Sequence, residues 1–248
     1  VGDSITLGVG GSAPETNSYP AQLQAMLGEG FEVKTFGVEE ATMIGDPPTP
    51  YTRDPQFNRA KQYHPDVVLI MLGTYDSRPR NWFQHWKLER TYPHVISQFR
   101  GLPSQPTVWV VKPPPVFVDG GSMDPDRKVI ENQLLLRLEG IARKTGAPVI
   151  DLHTPLRDHS ELFPGGVLPN QAGATEIATL IAATLKQYRD EAPPPPPRVS
   201  YPPADNEVIW DDACATFWED AYPVGNGRLG AMPFSTFPKE RILLNEET

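Results

Sequence analysis

Hydrophobic positions in the first 190 residues alternate between short strand-like runs and longer helix-like stretches. Residues 66–72 and 107–111 contain nearly continuous apolar runs, which are typical of strands buried on both faces of a sheet. Residues 148–152 have the same character, whereas residues 31–36 alternate polar and apolar side chains with the period of a strand. These segments predict strands, and Val1 is expected to be the last residue of an earlier one.

Helical spacing of apolar residues appears between these runs, near residues 20–28, 86–100 and 126–145. A last helix is predicted after Asn170, a residue type that favours the N-cap position. Its apolar face consists of Ala174, Ile177, Ala178, Ile181, Ala182 and Leu185. The alternation of strands and helices predicts a three-layer α/β/α domain with a parallel sheet, whose chemistry lies at the carboxyl ends of the strands.

A run of five prolines at residues 193–197 marks a boundary, because consecutive prolines can form neither a helix nor a central strand. We expect a linker at residues 191–203, between a domain at 1–190 and a second unit at 204–248. The second unit is predicted to be a short β-rich fragment with strands around the Gly-Asn-Gly turn at residues 225–227. Both ends of the chain are abrupt, so we expect a piece of a longer protein.

Charge and cysteine content exclude several classes of function. The chain has 22 Lys and Arg against 31 Asp and Glu, a net charge of −9, which argues against nucleic acid or an anionic membrane as a partner. The single cysteine, Cys214, excludes an internal disulfide and a cysteine-based zinc site. The longest apolar run, residues 67–72, is too short to span a bilayer. We expect neither a cofactor nor a metal.

The most informative motif is Gly-Asp-Ser-Ile-Thr at residues 2–6, directly after the predicted first strand. A serine at that edge of a sheet can act as a nucleophile, and its own N–H can face a developing oxyanion. The alternative interpretation is that Ser4 and Thr6 only cap the helix that follows. The motif by itself leaves both interpretations open.

Three further segments occur in the order expected of one enzyme family. Residues 35–42, 66–77 and 162–170, together with residues 2–6, resemble the four sequence blocks of the SGNH (GDSL-type) esterases. The resemblance is closest to the carbohydrate-deacetylating branch, which includes sialate O-acetylesterase-like proteins. It implies a flavodoxin-like fold, a serine nucleophile and an acetylated carbohydrate or glycan as substrate.

The resemblance also identifies the positions that carry the family's chemistry, and most of them hold other residues here. Ser4 matches the nucleophile. Glu40 stands at the position of the oxyanion-hole glycine, and Tyr75 at that of the oxyanion-hole asparagine. Gly165 and Leu168 stand at the positions of the triad aspartate and histidine. The resemblance therefore implies an esterase domain with a degenerate catalytic set and little or no esterase activity.

Each replacement has a physical consequence. Leu168 cannot accept a proton, and Gly165 provides no carboxylate to orient a base, so Ser4 is expected to remain a weak nucleophile. Glu40 is expected to place a negative charge near the developing oxyanion, and Tyr75 offers a phenolic hydroxyl with a different reach from an amide. Two histidines, His153 after the last predicted strand and His159 in the following loop, are either ordinary loop residues or surrogate bases.

The C-terminal segment carries a second resemblance. Residues 222–232 and 239–248 are similar to the beginning of family 95 glycoside hydrolases, the inverting α-L-fucosidases. The resemblance implies a downstream glycosidase domain in the same polypeptide, and a periplasmic or secreted protein. The alternative function is a non-catalytic spacer or glycan-binding module beside that glycosidase. Trp82, Phe83 and Trp86 are candidates either to stack on sugar rings or to bury a helix.

Overall fold

The computed structural model of the chain describes residues 1–9, 13–44, 50–121 and 123–191, and three strands within residues 224–246. The chain divides into two compact units, Val1–Pro193 and Pro194–Thr248. The segment predicted as a linker lies outside the described residues, apart from Glu191 at the end of the last helix.

The first unit is organised around a parallel sheet. Strands β1 (Val67–Ile70), β2 (Thr107–Lys112) and β3 (Val149–Asp151) lie side by side in that order, and all pairings are parallel. Gly2 extends the sheet beyond β1, because it forms parallel bridges with Met71 on one side and with Gly37 on the other. The parallel sheet predicted from the apolar runs is confirmed, and the chain start lies within it.

The strand predicted at residues 31–36 is wrong. This segment contains no strand and joins the sheet only at Gly37. Its backbone and side chains bond elsewhere, since Val33 N donates to the Gln24 side chain at 2.6 Å and Thr35 Oγ1 donates to the Thr6 carbonyl at 3.0 Å. Four of the six residues are exposed, and only Val33 and Phe36 are half-buried, so the alternation in sequence does not correspond to a buried face.

Helices occupy the connections between the strands. They are α1 (Ser4–Leu7), α2 (Pro14–Asn17), α3 (Tyr19–Leu27), α4 (Pro55–Gln62), α5 (Pro79–Trp82), α6 (Leu88–Arg100), α7 (Arg127–Val129), α8 (Leu135–Thr145), α9 (His153–Leu156) and α10 (Gln171–Glu191). Single 3₁₀ turns cover Tyr51–Arg53, Tyr75–Ser77, His85–Lys87 and Ser160–Leu162, and a π turn, Ile130–Leu134, connects α7 to α8. Among the described residues, no helix is both long enough and apolar enough to cross a bilayer.

Apolar side chains form two cores, one on each face of the sheet. Neighbouring residues of β2 point to opposite faces, so Val110 lies in one core while Trp109 and Val111 lie in the other. The first core contains residues of α4, α6 and α8, and the second contains residues of α3 and α10. Two helical layers around one parallel sheet confirm the predicted three-layer α/β/α architecture.

Helix α10 confirms the prediction for its buried face. Ala174, Ile177, Ala178, Ile181 and Ala182 are buried in the second core, with Leu185 partly buried against it. The Asn170 side chain accepts a hydrogen bond from Gly173 N at 2.9 Å, which satisfies an N–H group at the helix start.

The second unit contains three described strands, β4 (Val224–Gly225), β5 (Leu229–Pro233) and β6 (Ile242–Glu246). They pair antiparallel in sequence order, with Val224 opposite Ala231 and Ala231 opposite Leu244. The predicted turn at residues 225–227 connects β4 to β5, and two of its residues lie outside the described part of the chain.

Close contact between two backbones at Gly37 yields a stability prediction. A Cβ at this position would lie 2.4 Å from Leu7 N and 2.8 Å from Leu7 Cα, atoms that cannot move without shifting α1. We expect Gly37→Ala to lower the free energy of unfolding by at least about 2 kcal/mol, as overpacking against a rigid neighbour does. Urea unfolding of the full chain measures this loss.

Gly140→Ala provides the matched control, because position 140 lies inside α8 and a Cβ there would meet no atom within 4 Å. Replacing glycine with alanine in a helix interior should stabilise the chain by about 0.5–1 kcal/mol. Equal effects of the two substitutions would contradict the close approach at Gly37.

Candidate active site

Ser4 lies where the chain leaves the sheet. It is the first residue of α1, two residues after the bridge that Gly2 makes with Met71 and Gly37. Its side chain is 1% exposed. Asp3 is the N-cap of α1, accepting a hydrogen bond from Ile5 N at 3.0 Å. The capping role is thus performed by Asp3, which leaves the Ser4 hydroxyl free for other contacts.

Glu40 faces Ser4 with its backbone. Its N–H donates a hydrogen bond to Ser4 Oγ at 2.7 Å, and its φ of +53° lies in the left-handed region that favours glycine. Its carboxylate accepts two hydrogen bonds from the Arg78 guanidinium, at 2.9 and 2.6 Å. These bonds from Arg78 hold the pKa of Glu40 below its usual value. The negative charge that the sequence predicts near the oxyanion is therefore paired with Arg78, and the group of Glu40 that faces Ser4 is its N–H.

Tyr75 is the second neighbour of the Ser4 side chain. It is buried in the 3₁₀ turn Tyr75–Ser77, where burial raises its pKa to about 12, and a side-chain hydrogen bond with Ser4 acts in the opposite direction. The phenol is therefore protonated at neutral pH and can donate a hydrogen bond. The guanidinium carbon of Arg78 lies 4.6 Å from the centre of the Tyr75 ring, a cation–π distance.

Asp76 fixes the loop that carries Glu40. Its buried carboxylate accepts hydrogen bonds from Met43 N at 2.8 and 2.9 Å and from Ile44 N at 2.8 Å. Burial raises the pKa of Asp76 to about 6, although these two N–H groups favour the charged form. Asp76 therefore connects the turn after β1 to the loop after Gly37.

The loop that should contain the base has a different character. Gly165 is exposed, and a Cβ there would have no atom within 4 Å. Leu168 is partly buried and packs against the second core. The loop is closed by hydrogen bonds from Gly166 N to the Phe163 carbonyl and from Phe117 N to the Gly166 carbonyl, each 2.6 Å. Neither position 165 nor position 168 provides a titratable group.

Neither candidate surrogate base forms a hydrogen bond with Ser4 among the described contacts. His153 is buried at the start of α9, where burial lowers its pKa, and its Nε2 has no hydrogen-bond partner in the described part of the chain. His159 is exposed, and its Nδ1 lies 2.9 Å from Glu161 Oε1. A catalytic role for His153 or His159 stays a prediction, which the assay below tests.

Sequence reasoning missed the charged residues that support the site. Arg78 and Asp76 carry the contacts described above. Apart from these contacts, Lys112 at the end of β2 pairs with Asp151 at 2.7 Å and Glu139 at 2.8 Å. The sequence did contain an indication of a residue such as Arg78. Glu40 stands at a position that favours glycine, and a glutamate there requires a contact that holds it in place. Among the described residues, no group of three or more His, Cys, Asp or Glu side chains is arranged to hold a metal ion.

The aromatic residues after the Tyr75 turn divide into two roles. Trp82 is buried in the first core and donates a hydrogen bond to Gln133 Oε1 at 3.0 Å. Phe83 and Trp86 are exposed. Packing of a helix against the core therefore explains Trp82 but not Phe83 or Trp86.

Residues 1–175 match the GDSL-like Lipase/Acylhydrolase family. The match covers more than half of the chain, and it includes the segment from Ser4 to the loop of Leu168. The chain belongs to this family. Residues 209–248 separately match the family described as Glycosyl hydrolase family 65, N-terminal domain.

The relatives extend this assignment. An acetylxylan esterase from Xylanibacter ruminicola is 32% identical over 204 residues, which cover 75% of this chain and 42% of the relative. The chain thus spans less than half of that protein. The fold matches Est24, a carbohydrate acetylesterase from Sinorhizobium meliloti, with a TM-score of 0.59, 18% identity and coverage of 75% and 96% of the two chains. A two-domain esterase active on acetylated mannans matches with a TM-score of 0.55, 18% identity and coverage of 93% and 57%.

The buried Asp3 carboxyl predicts how stability depends on pH. Burial raises the pKa of Asp3 to about 7 from an ordinary value of 3.8. The folded chain therefore holds this proton to higher pH than the unfolded chain, so the contribution of Asp3 to stability falls as pH rises from about 4 to 7.

Replacing Asp3→Asn keeps an acceptor for Ile5 N without a titrating group. We expect the variant to match the unmodified chain near pH 4 and to exceed it at pH 8, by as much as about 4 kcal/mol in the free energy of unfolding. Urea unfolding at both pH values measures the difference. If the variant and the unmodified chain differed in free energy of unfolding by the same amount at both pH values, the result would argue against a raised pKa at Asp3.

Proposed function

We propose that this chain contains a carbohydrate O-acetylesterase-type domain of a glycan-degrading protein, with a degenerate catalytic set and little or no turnover. The observation that carries the proposal is the environment of Ser4. Its Oγ accepts a hydrogen bond from Glu40 N, and no histidine of the described part of the chain bonds to it. A serine hydroxyl without a base remains protonated and is a weak nucleophile.

The geometry beside Ser4 supports stabilisation of an oxyanion. The Glu40 N–H and the Tyr75 phenol adjoin the Ser4 hydroxyl, and both are donor types that can stabilise an oxyanion. The missing part of the chemistry is proton transfer, which requires a group at the position of Leu168 and an orienting group at that of Gly165. The proposed loss of activity therefore lies in the base and its orienter.

Acetylated carbohydrate is the proposed ligand class. Support comes from the acetylxylan esterase of Xylanibacter ruminicola, which shares 32% of its aligned residues with this chain. The exposed rings of Phe83 and Trp86 favour the second candidate function, a non-catalytic spacer or glycan-binding module, because exposed rings of this size suit recognition surfaces. An esterase-type domain and a glycan-binding module would take the same ligand class, whereas a spacer would bind no ligand.

The proposed partner is a glycosidase domain downstream in the same polypeptide. Residues 209–248 match a glycoside hydrolase N-terminal domain, and β4 to β6 form an antiparallel sheet within them. The resemblance of this segment to family 95 enzymes favours an α-L-fucosidase-like activity for that domain. A polymer-degrading protein of this kind would act in the periplasm or outside the cell.

The first test measures turnover and binding on the same preparation of the full chain. We expect hydrolysis of an aryl acetate and of acetylated xylo-oligosaccharides to equal that of the Ser4→Ala variant, because no histidine among the described residues bonds to Ser4. Calorimetric titration with acetylated and deacetylated oligosaccharides measures binding in parallel. Turnover that Ser4→Ala abolishes would contradict the proposed loss, and the variants His159→Ala and His153→Ala would then identify the surrogate base.

The second test restores the missing base. Gly165→Asp fits without steric conflict, since a Cβ at position 165 has no neighbour within 4 Å, and Leu168→His replaces a partly buried side chain. Because the Glu40 N–H already faces Ser4, we expect this double variant to hydrolyse aryl acetate at least about 10²-fold faster than the same variant with Ser4→Ala. Initial rates across a range of substrate concentrations provide kcat and KM. Equal rates with and without Ser4 would argue against an esterase scaffold.

A further inference from the structure

The backbone of Glu40 adopts a conformation that its side chain disfavours. A φ of +53° is strained for a residue with a Cβ, and glycine adopts it without that penalty. This conformation directs the N–H toward Ser4 Oγ at 2.7 Å. A contact outside the backbone must therefore compensate for the strain and keep this N–H in place.

Arg78 makes that contact. Two guanidinium nitrogens bond to the two carboxylate oxygens of Glu40, a paired geometry that fixes both distance and orientation. The backbone of Arg78 is fixed at the start of α5, because its carbonyl accepts hydrogen bonds from Asn81 N at 2.8 Å and Trp82 N at 2.9 Å. The two hydrogen bonds from Arg78 thus connect Glu40 to the start of α5.

Burial of Arg78 makes the guanidinium depend on Glu40, whose side chain is 44% exposed. Arg78 is 3% exposed, and among the described residues Glu40 is the carboxylate bonded to it. A buried guanidinium without a partner is unfavourable, so removal of the carboxylate leaves a larger defect than removal of both groups. The face of Tyr75 provides a second contact for the cation, and it adjoins the same serine.

We propose that Arg78 is a positioning residue, which acts through the Glu40 carboxylate to hold the Glu40 N–H as an oxyanion donor at Ser4. This inference rests on the proposed function for its catalytic meaning. It implies that glycine, the residue typical of the family at this position, is harmful at position 40 while Arg78 is present. Glycine becomes acceptable when Arg78 is replaced as well.

Amide hydrogen exchange tests whether Arg78 positions the Glu40 N–H, and it requires no turnover. The full chain with its original residues at positions 165 and 168 is compared with its Arg78→Lys variant. Arg78→Lys keeps the positive charge and removes the paired geometry. We expect the exchange of the Glu40 amide to accelerate by about tenfold or more in this variant. The amides of Met43 and Ile44, bonded to Asp76 on the same loop, should keep their protection. Equal acceleration at all three amides would indicate general loosening and overturn the proposal, as would an unchanged Glu40 amide.

Kinetics in the Gly165→Asp/Leu168→His chain test the catalytic consequence. We expect Arg78→Lys to lower kcat by about tenfold or more with KM changed by less than about twofold, because an oxyanion donor acts in the transition state. Glu40→Gly alone should also lower kcat, whereas Glu40→Gly combined with Arg78→Gln should return it toward the value of the restored chain. A purely structural role predicts loss of thermal stability without this change in kcat or its recovery.

The two experiments separate failure of the inference from failure of the proposed function. A restored chain without Ser4-dependent turnover contradicts the proposed function, and amide exchange at Glu40 still decides whether Arg78 positions the N–H. A restored chain that is active, with kcat unchanged by Arg78→Lys, overturns the role of Arg78 and leaves the proposed function in place.

Discussion

The buried carboxylate of Asp76 joins the segments that build the site. The turn after β1 carries Tyr75 and Arg78, and the loop after Gly37 carries Glu40; Asp76 ties them together through the N–H groups of Met43 and Ile44. A buried carboxylate is stable only when its oxygens are satisfied, so the loop and the turn cannot separate without exposing an unsatisfied group. The neighbours of Ser4 therefore have fixed positions, although they come from chain segments more than 30 residues apart.

The parallel sheet and its helices could be predicted because each buried strand and amphipathic helix carries its own pattern. The apolar run that contains Val68 and Ile70 has no polar interruption, and the buried face of α10 repeats with helical spacing. Residues 31–36 have the alternation of a strand without its partner, since their hydrogen bonds go to α3 and to Thr6. The spacing of apolar residues can indicate which face of a segment is buried, but it does not indicate whether another strand pairs with that segment.

The residues around Ser4 could be indicated from sequence, but their charge pairing could not. Motif positions indicated Ser4, Tyr75 and the replacements at 165 and 168. The role of Glu40 depends on its backbone conformation and on Arg78, which is 38 residues away in sequence. A charge assigned from residue type alone points toward the oxyanion, whereas the folded chain turns the carboxylate to a buried guanidinium and leaves the N–H at Ser4. Only the three-dimensional contact distinguishes these two cases.

The pattern of retained and missing groups follows from how much structure each one supports. Asp3 caps α1, Asp76 anchors a loop, and the Glu40 conformation is tied to a buried arginine, so each of these groups takes part in the local structure as well as in the environment of Ser4. Position 165 is exposed with empty space around it, and position 168 carries an apolar side chain that packs on the core. If the proposed function holds, groups that serve proton transfer alone can change with little effect on the fold, whereas the groups beside Ser4 are tied to it by hydrogen bonds. Under the proposed function, a scaffold with a prepared oxyanion side and no base among its described residues is a stable arrangement of this fold.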